Sequence, residues 1–463
     1  MMGQLPAAQN VLFYDFCLDS FVPETHLLRQ IDQVLDLGNL RNHLSSYYSH
    51  TGRPSIDPEL MIRMLIIGYC YGIRSERRLC EEAHVNLAYR WFCRLGLEDE
   101  IPNHSTFSKN RHGRFRESDA FRFVFEEIVR RCMKEGLVGG DGFATDASTI
   151  GADANWERGV PGNEILDHLD ANHATRPVQA FLDALDTDET QSTTPKKISL
   201  TDPQSRWASN RKGAADYSYS TNYLIDIKNN IIMDAKATPT HRTSEVESTK
   251  DMIDHVEDTF GIKPQRLLGD TAYGAAPMLD WLVVEKCIEP HVPVWDKSKG
   301  KEGIFGRTDF TWNDRDDHYQ CPAGKLLQRR QRNFKNNRTE ITKDNTIIYR
   351  ASKYDCESCE HKPHCCPNTP HRKIARSIYE ASRDVARTIS QTPAYIQSRR
   401  DRKKVEVLFG HMKNILKFDR LRLRGLSGAQ DEFLLVATAQ NLRRLAKLCY
   451  RPPPDRGILA PVS

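Results

Sequence analysis

The sequence predicts a mixed α/β fold, preceded by an all-α domain and interrupted by a cysteine-rich insertion. Three observations carry this expectation. Helical apolar spacing dominates residues 1–135, a strand, hairpin, helix, strand order follows from Leu137, and residues 300–375 combine Lys, Arg and Cys without sustained periodicity. A chain of 463 residues is long enough for two to four domains. Residues 136–299 and 376–450 are expected to share one α/β core around the insertion, with 451–463 a disordered tail.

With 39% hydrophobic and 28% charged residues, the composition fits a water-soluble globular protein and excludes a disulfide miniprotein. The net charge is only +4, but residues 371–460 hold 20 Lys and Arg against 8 Asp and Glu, an imbalance suited to a polyanionic partner. The opening Met-Met-Gly-Gln-Leu-Pro has no secretory pattern, and the longest apolar stretch, Leu60–Tyr71, contains Arg63 and is too short to span a bilayer. No membrane association and a cytoplasmic location are expected. Twelve cysteines in a reducing compartment read as buried thiols or metal ligands.

In the first segment, Leu60, Met61, Met64, Leu65 and Ile67 recur at helical spacing behind Asp57 and Pro58, and Gly72 ends the helix. Shorter helices are predicted over Ser75–Val85 and Leu87–Leu95, then one opened by Asn103 that carries Arg111 and His112. Short helices with a basic last member suggest a helix-turn-helix-like DNA-binding unit, with Arg111, His112 and Arg114 as candidate contacts.

Beyond it, Val138–Ser148 reads as a turn entering a strand, Tyr217–Ile227 and Ile231–Ala237 as a hairpin about Lys228-Asn229-Asn230, and Ser244–Phe260 as a helix. Pro264–Asp270 reads as a short strand ending in a carboxylate. Glu380–Lys417 and 431–449 return to helix, and residues 186–213 form a polar loop.

Asp146 and Asp270 each fall at or near a strand end beside small residues, where carboxylates can share a hard cation such as Mg²⁺. Glu406 lies in Arg402-Lys403-Lys404-Val405-Glu406-Val407-Leu408. At about 100° per residue, Val405, Leu408, Met412 and Ile415 form an apolar stripe, with Arg402, Glu406 and Lys413 on a polar face beside it. Acids flanked by cations suit phosphate chemistry assisted by two metal ions. Asp141, Asp153, Asp226 and Asp234 are weaker candidates, the last two being more simply solvent-facing or turn-supporting.

In the insertion, Cys356-Glu-Ser-Cys359 is followed by Cys365 and Cys366 and preceded by Cys321. This is ordinary spacing for a structural zinc site of Cys321, Cys356, Cys359 and Cys365, with Cys366, His361 and His364 as substitutes.

Asp146 in Phe143-Ala144-Thr145-Asp146-Ala147-Ser148, Asp270 in Leu268-Gly269-Asp270-Thr271-Ala272-Tyr273-Gly274, and Arg402-x3-Glu406-x6-Lys413 together resemble bacterial insertion-sequence transposases of the DDE type. Arg53–Pro58, Asp202-Pro203 and Gln440-Asn441-Leu442-Arg443-Arg444 extend the likeness. The resemblance implies an RNase H-like catalytic core and a triad of Asp146, Asp270 and Glu406 holding two Mg²⁺ or Mn²⁺ ions. It also implies that Arg402 and Lys413 contact DNA phosphate, and it supports zinc in the insertion. Expected partners are double-stranded DNA, as element ends and as target, and a second protomer in the DNA complex; location at the nucleoid follows. Two positions depart from the family pattern: Arg399 stands where a tyrosine often begins the last motif, and Thr271 where alanine is usual. The implied function is strand cleavage and strand transfer at terminal inverted repeats. The alternatives are a catalytically inactive, transposase-derived DNA-binding protein and an RNase H-like nuclease without joining activity.

Overall fold

The computed structural model describes residues 16–49, 51–52, 55–169, 174–187, 195–209, 215–240, 242–295, 303–329 and 340–450. The expected disordered tail 451–463 lies outside the described residues, as do Arg53, Pro54 and much of the polar loop 186–213.

Helices dominate the first stretch: α1 (Leu27–Val34), α2 (Pro58–Tyr71), α3 (Glu76–Val85), α4 (Leu87–Phe92), α5 (His104–His112) and α6 (Ala120–Lys134). Their starts follow side-chain chemistry. Asp57 accepts the Glu59 amide at 2.8 Å, Ser75 caps α3, Asn86 caps α4 and Asn103 caps α5, each satisfying N–H groups that the helix leaves unpaired. Gly72 ends α2 at φ 70°, where a side chain is disfavoured.

Strand β1 (Gly142–Gly151) opens the sheet, followed by β2 (Arg206–Ser209), β3 (Ala215–Asp226), β4 (Ile231–Pro239), α7 (Arg242–Phe260), β5 (Arg266–Leu268) and β6 (Glu289–His291). The insertion holds β7 (Thr311–Asn313), β8 (His318–Gln320), β9 (Leu326–Arg329), β10 (Thr346–Ala351) and β11 (Lys373–Ser377). Helices α8 (Glu380–Ile389), α9 (Pro393–Asn414) and α10 (Gly425–Cys449) complete the chain.

Two compact units arise. The first comprises residues 1–140, 146–263 and 404–463; the second comprises 141–145 and 264–403. In the first, β3 pairs antiparallel with β2 and with β4, around the predicted turn at Asn230, whose φ is 55°. Helix α10 is the hub of this unit, packing on β4, α6, α1 and α2. Phe433, Val436, Leu442 and Leu445 are fully buried on it.

Two side-chain amides of α10 join it to β4. Asn441 accepts the Ile232 N–H at 2.9 Å and donates to the Ile232 carbonyl at 2.8 Å. Gln430 accepts the Ala237 N–H and donates to the Ala235 carbonyl, both at 2.8 Å. These bonds satisfy backbone groups that a neighbouring strand would otherwise serve.

In the second unit, β1 pairs in parallel with β5 through Gly142↔Arg266, Phe143↔Leu267 and Ala144↔Leu268, and β5 pairs in parallel with β6. The insertion is a five-stranded antiparallel sheet in the order β11-β10-β9-β8-β7. Its inner face buries Tyr319, Leu327, Tyr349 and Ile374 with Cys365 and Cys366. This regular sheet differs from the aperiodic insertion the sequence suggests. Its strands run only three to six residues. Cations also occupy inner positions, as where the Arg376 guanidinium lies 4.0 Å from the Trp312 ring centre.

Two helical expectations are corrected. The predicted Glu380–Lys417 helix is two helices, α8 and α9. The stripe over Val405, Leu408 and Met412 is buried, but Ile415 is 52% exposed, because α9 ends at Asn414 and Leu416 turns inward instead.

Candidate active site

Asp146 lies in β1 where buried Gly142–Thr145 give way to half-exposed positions, and its Oδ1 accepts the Ala147 amide at 2.9 Å. Asp270 stands two residues past β5. Its Oδ1 accepts the Ala272 N–H at 2.8 Å and opens the turn Thr271–Gly274. Glycine is required nearby, since a Cβ at Gly274 would fall 1.9 Å from the Pro293 carbonyl oxygen.

Ala144 and Leu268 are the last paired residues of two parallel strands. Asp146 and Asp270 each follow two residues further along the chain.

Glu406 is exposed on α9 beside buried Val405 and Leu408. Two contacts anchor this part of the helix within the first unit: the Phe409 and Tyr223 rings lie 5.5 Å apart, and Lys413 Nζ donates to the Thr149 carbonyl at 3.3 Å. Arg402 is half-buried one turn before Glu406. Arg399, at the position of the missing family tyrosine, is exposed, while Tyr395 one turn earlier is buried against His291 with ring centres 6.0 Å apart.

The candidate DNA contacts of the helical region are placed differently from one another. Arg111 points inward and is 4% exposed, held by Glu76 at 3.0 Å and the Tyr69 hydroxyl at 2.9 Å, so this guanidinium belongs to the core and not to a DNA-facing side. His112 is exposed, and desolvation of its ring, followed by the Arg111 and Arg116 charges, lowers its pKa. Arg114 bonds Ser55 and Asn110 and lies 4.5 Å over the Tyr48 ring.

Three of the weaker acids have structural partners. Asp226 supports a turn by accepting amides of Gly139, Gly140 and Lys228. Asp234 is buried, not solvent-facing, and is paired with Arg122 and His255. Asp153 pairs with Arg424 at 2.9 Å.

Sequence reasoning missed the group around His255, since its members come from three elements. Hydrogen bonds to Asp234 and Glu126 raise the His255 pKa to about 9. It also missed buried Glu432, which pairs with Arg74 and accepts the Arg422 and Leu423 amides at 2.6 Å each. No spacing rule signals such pairs.

All twelve cysteines are free thiols. Cys321, Cys356, Cys359, Cys365 and Cys366 line one pocket of the second unit with His361, whereas His364 turns to the Gly303 carbonyl. Cys321 closes a tight turn in which its sulfur accepts the Lys325 N–H at 3.3 Å and its carbonyl accepts the Gly324 N–H at 2.8 Å. Burial, followed by the Cys366 neighbour, raises the Cys365 thiol to about 12. Among the described residues, no three His, Cys, Asp or Glu side chains are already drawn together as a metal cluster.

Residues 16–113 match the family model described as a transposase domain (DUF772), and residues 320–446 match the transposase DDE domain. The second match contains Arg402, Glu406, Lys413 and the five pocket cysteines; Asp146 and Asp270 lie between the two matches. Neither curated proteins nor solved structures gave a match. No helix among the described residues is long and apolar enough to cross a membrane. The two matched transposase domains support an insertion-sequence DDE transposase.

Proposed function

We propose that this chain binds the terminal inverted repeats of its own element and catalyses metal-dependent strand cleavage followed by strand transfer, through an RNase H-like core. Asp146, Asp270 and Glu406 are the carboxylates that would hold the ions, being acceptor-only oxygen donors suited to a hard cation. Two Mg²⁺ or Mn²⁺ ions would supply activation of the attacking oxygen and charge stabilisation of the leaving one. Arg402 and Lys413 would hold the scissile phosphate, and Arg114 and His112 would contact DNA from the helical region. Two protomers would bring two element ends together, and the protein would work in the cytoplasm at the nucleoid.

The observation that carries this reading is the transposase DDE domain match over residues 320–446, which contains Glu406 between Arg402 and Lys413. Helix α9 supports it further. From the Lys413–Thr149 contact, Glu406 is seven residues back along the helix, about 10.5 Å at 1.5 Å per residue. Asp146 is three residues back along β1, about 10 Å at 3.3 Å per residue. The two acids are thus equally far from their shared anchor.

The pocket cysteines suit a structural zinc ion held by Cys321 with Cys356, Cys359 and Cys365, Cys366 or His361 serving as a substitute. Soft thiolates select zinc, and an amide donated to a thiolate sulfur, as Lys325 does to Cys321, favours the charged ligand.

Incubation of the protein with labelled element-end DNA and Mg²⁺ tests the function. Cut ends joined to a second duplex support a transposase. Cut ends that never join indicate a nuclease, and bound but uncut DNA indicates a scaffold.

A further inference from the structure

The insertion sheet has a second face opposite its aromatic core. Pairing registers align Asn313, His318, Gln328, Arg350 and Lys373 in one row across all five strands, through Asn313↔His318, His318↔Gln328, Gln328↔Arg350 and Arg350↔Lys373. Alternation puts these residues on the side away from Tyr319, Leu327, Tyr349 and Ile374. Gln328 and Lys373 are exposed, and the other three are half-exposed.

The outward positions of the five strands contain no carboxylate. Acids stand in the turn after β7. There Asp316 accepts the Asn313 amide, while Asp317 pairs with Arg329. The row therefore runs from an acidic turn at one edge to cations at the other. Neither Arg350 nor Lys373 forms an ion pair among the described residues, and Arg350 Nε is buried without a hydrogen-bond partner there. An adjacent cation pair, with no acid among the outward strand positions, is matched by external anions.

We propose that this face binds the phosphate backbone of double-stranded DNA, with Arg350 and Lys373 contacting phosphates and His318 and Gln328 extending the track. The proposal rests on DNA being the substrate. It assigns the insertion a binding role separate from the carboxylates and from the helical region. With strands about 4.8 Å apart, His318 to Lys373 spans about 14 Å. One DNA strand presents about four phosphates over that distance, at roughly 3.4 Å each. The contacts would be indifferent to base sequence, because phosphates carry none.

The test measures affinity of the full chain for an element-end duplex across a salt series. Wild type is compared with the Arg350→Gln/Lys373→Gln double variant and the charge-preserving Arg350→Lys/Lys373→Arg variant. Loss of two phosphate contacts should make the slope of log affinity against log salt shallower by about 1.8 and lower affinity at least about tenfold at low salt. The charge-preserving variant should restore most of both. A photo-crosslinking amino acid placed at exposed Gln328 should attach to the duplex. An unchanged slope and affinity in the double variant, with no crosslink from position 328, would overturn the proposal. So would capture of polyglutamate by this face with DNA binding unaffected, which would assign it to an acidic protein. If wild type binds DNA and the double variant loses the slope, but no DNA is cut, the face stands and the catalytic reading fails. A wild type without affinity for DNA overturns both.

Discussion

Lys413 Nζ donates to the Thr149 carbonyl at 3.3 Å, tying the helix that carries Glu406 to the strand that carries Asp146. The proposed function assigns this ammonium, a point charge with three donors, to a phosphate as well. Lys413→Ala should lower end cleavage about 100-fold, the usual loss when one preorganised electrostatic donor is removed. Single-turnover cleavage on saturating DNA measures it; a rate within twofold of wild type would remove Lys413 from the chemistry.

Glu432 is fully buried and its carboxylate serves Arg74 and two backbone amides. Removing one member of a buried pair leaves the other charge uncompensated, so Glu432→Gln should cost about 3–5 kcal/mol. Urea unfolding of this variant should show it, with a smaller loss for Arg74→Met/Glu432→Leu, where neither charge remains.

Asn441→Ala should destabilise the first unit by about 2 kcal/mol or more, because the N–H and carbonyl of Ile232 lose their buried partners. Amide hydrogen exchange at Ile232 should accelerate in the same variant. Unaltered exchange would show that another group satisfies the strand.

The pKa of His255 is raised from 6.5 to about 9 by Asp234 and Glu126, against the nearby Arg122 charge. A histidine raised in the folded state stabilises the fold fully below its unfolded value and loses that contribution as pH rises through the folded one. Stability should therefore fall between about pH 6.5 and 9. His255→Gln should flatten that decline, as read by thermal unfolding at a series of pH values.

The purified chain should carry about one zinc per protomer, and Cys356→Ser or Cys359→Ser should lower that content. Metal analysis with a chelator-release assay measures it. Cysteine variants that retain full zinc would place the metal elsewhere.

Much of the helical fold is legible in sequence because local chemistry decides it. Asp57, Pro58 and Gly72 mark both ends of α2, and the turn at Lys228–Asn230 marks the hairpin. What remained hidden depends on partners distant in the chain. Arg111 looks like a surface cation until Glu76 and Tyr69 are placed beside it, and Asp234 looks like a hairpin acid until Arg122 and His255 are. In the insertion, strands of a few residues with inward arginines give no alternation that composition alone would reveal. Of the candidate site, Asp146, Asp270 and Glu406 are picked out by motif spacing, whereas the pairing of Gly142–Ala144 with Arg266–Leu268 is visible only in the structure.

The most direct test compares Asp146→Asn, Asp270→Asn and Glu406→Gln with wild type for cleavage and joining of element-end DNA in Mg²⁺, after confirming equal DNA binding. Wild type should cut and join while each variant binds but does neither, with rates down by at least about 1,000-fold. A variant that still cuts and joins at a wild-type rate would contradict the assignment of its carboxylate to the metal-binding triad.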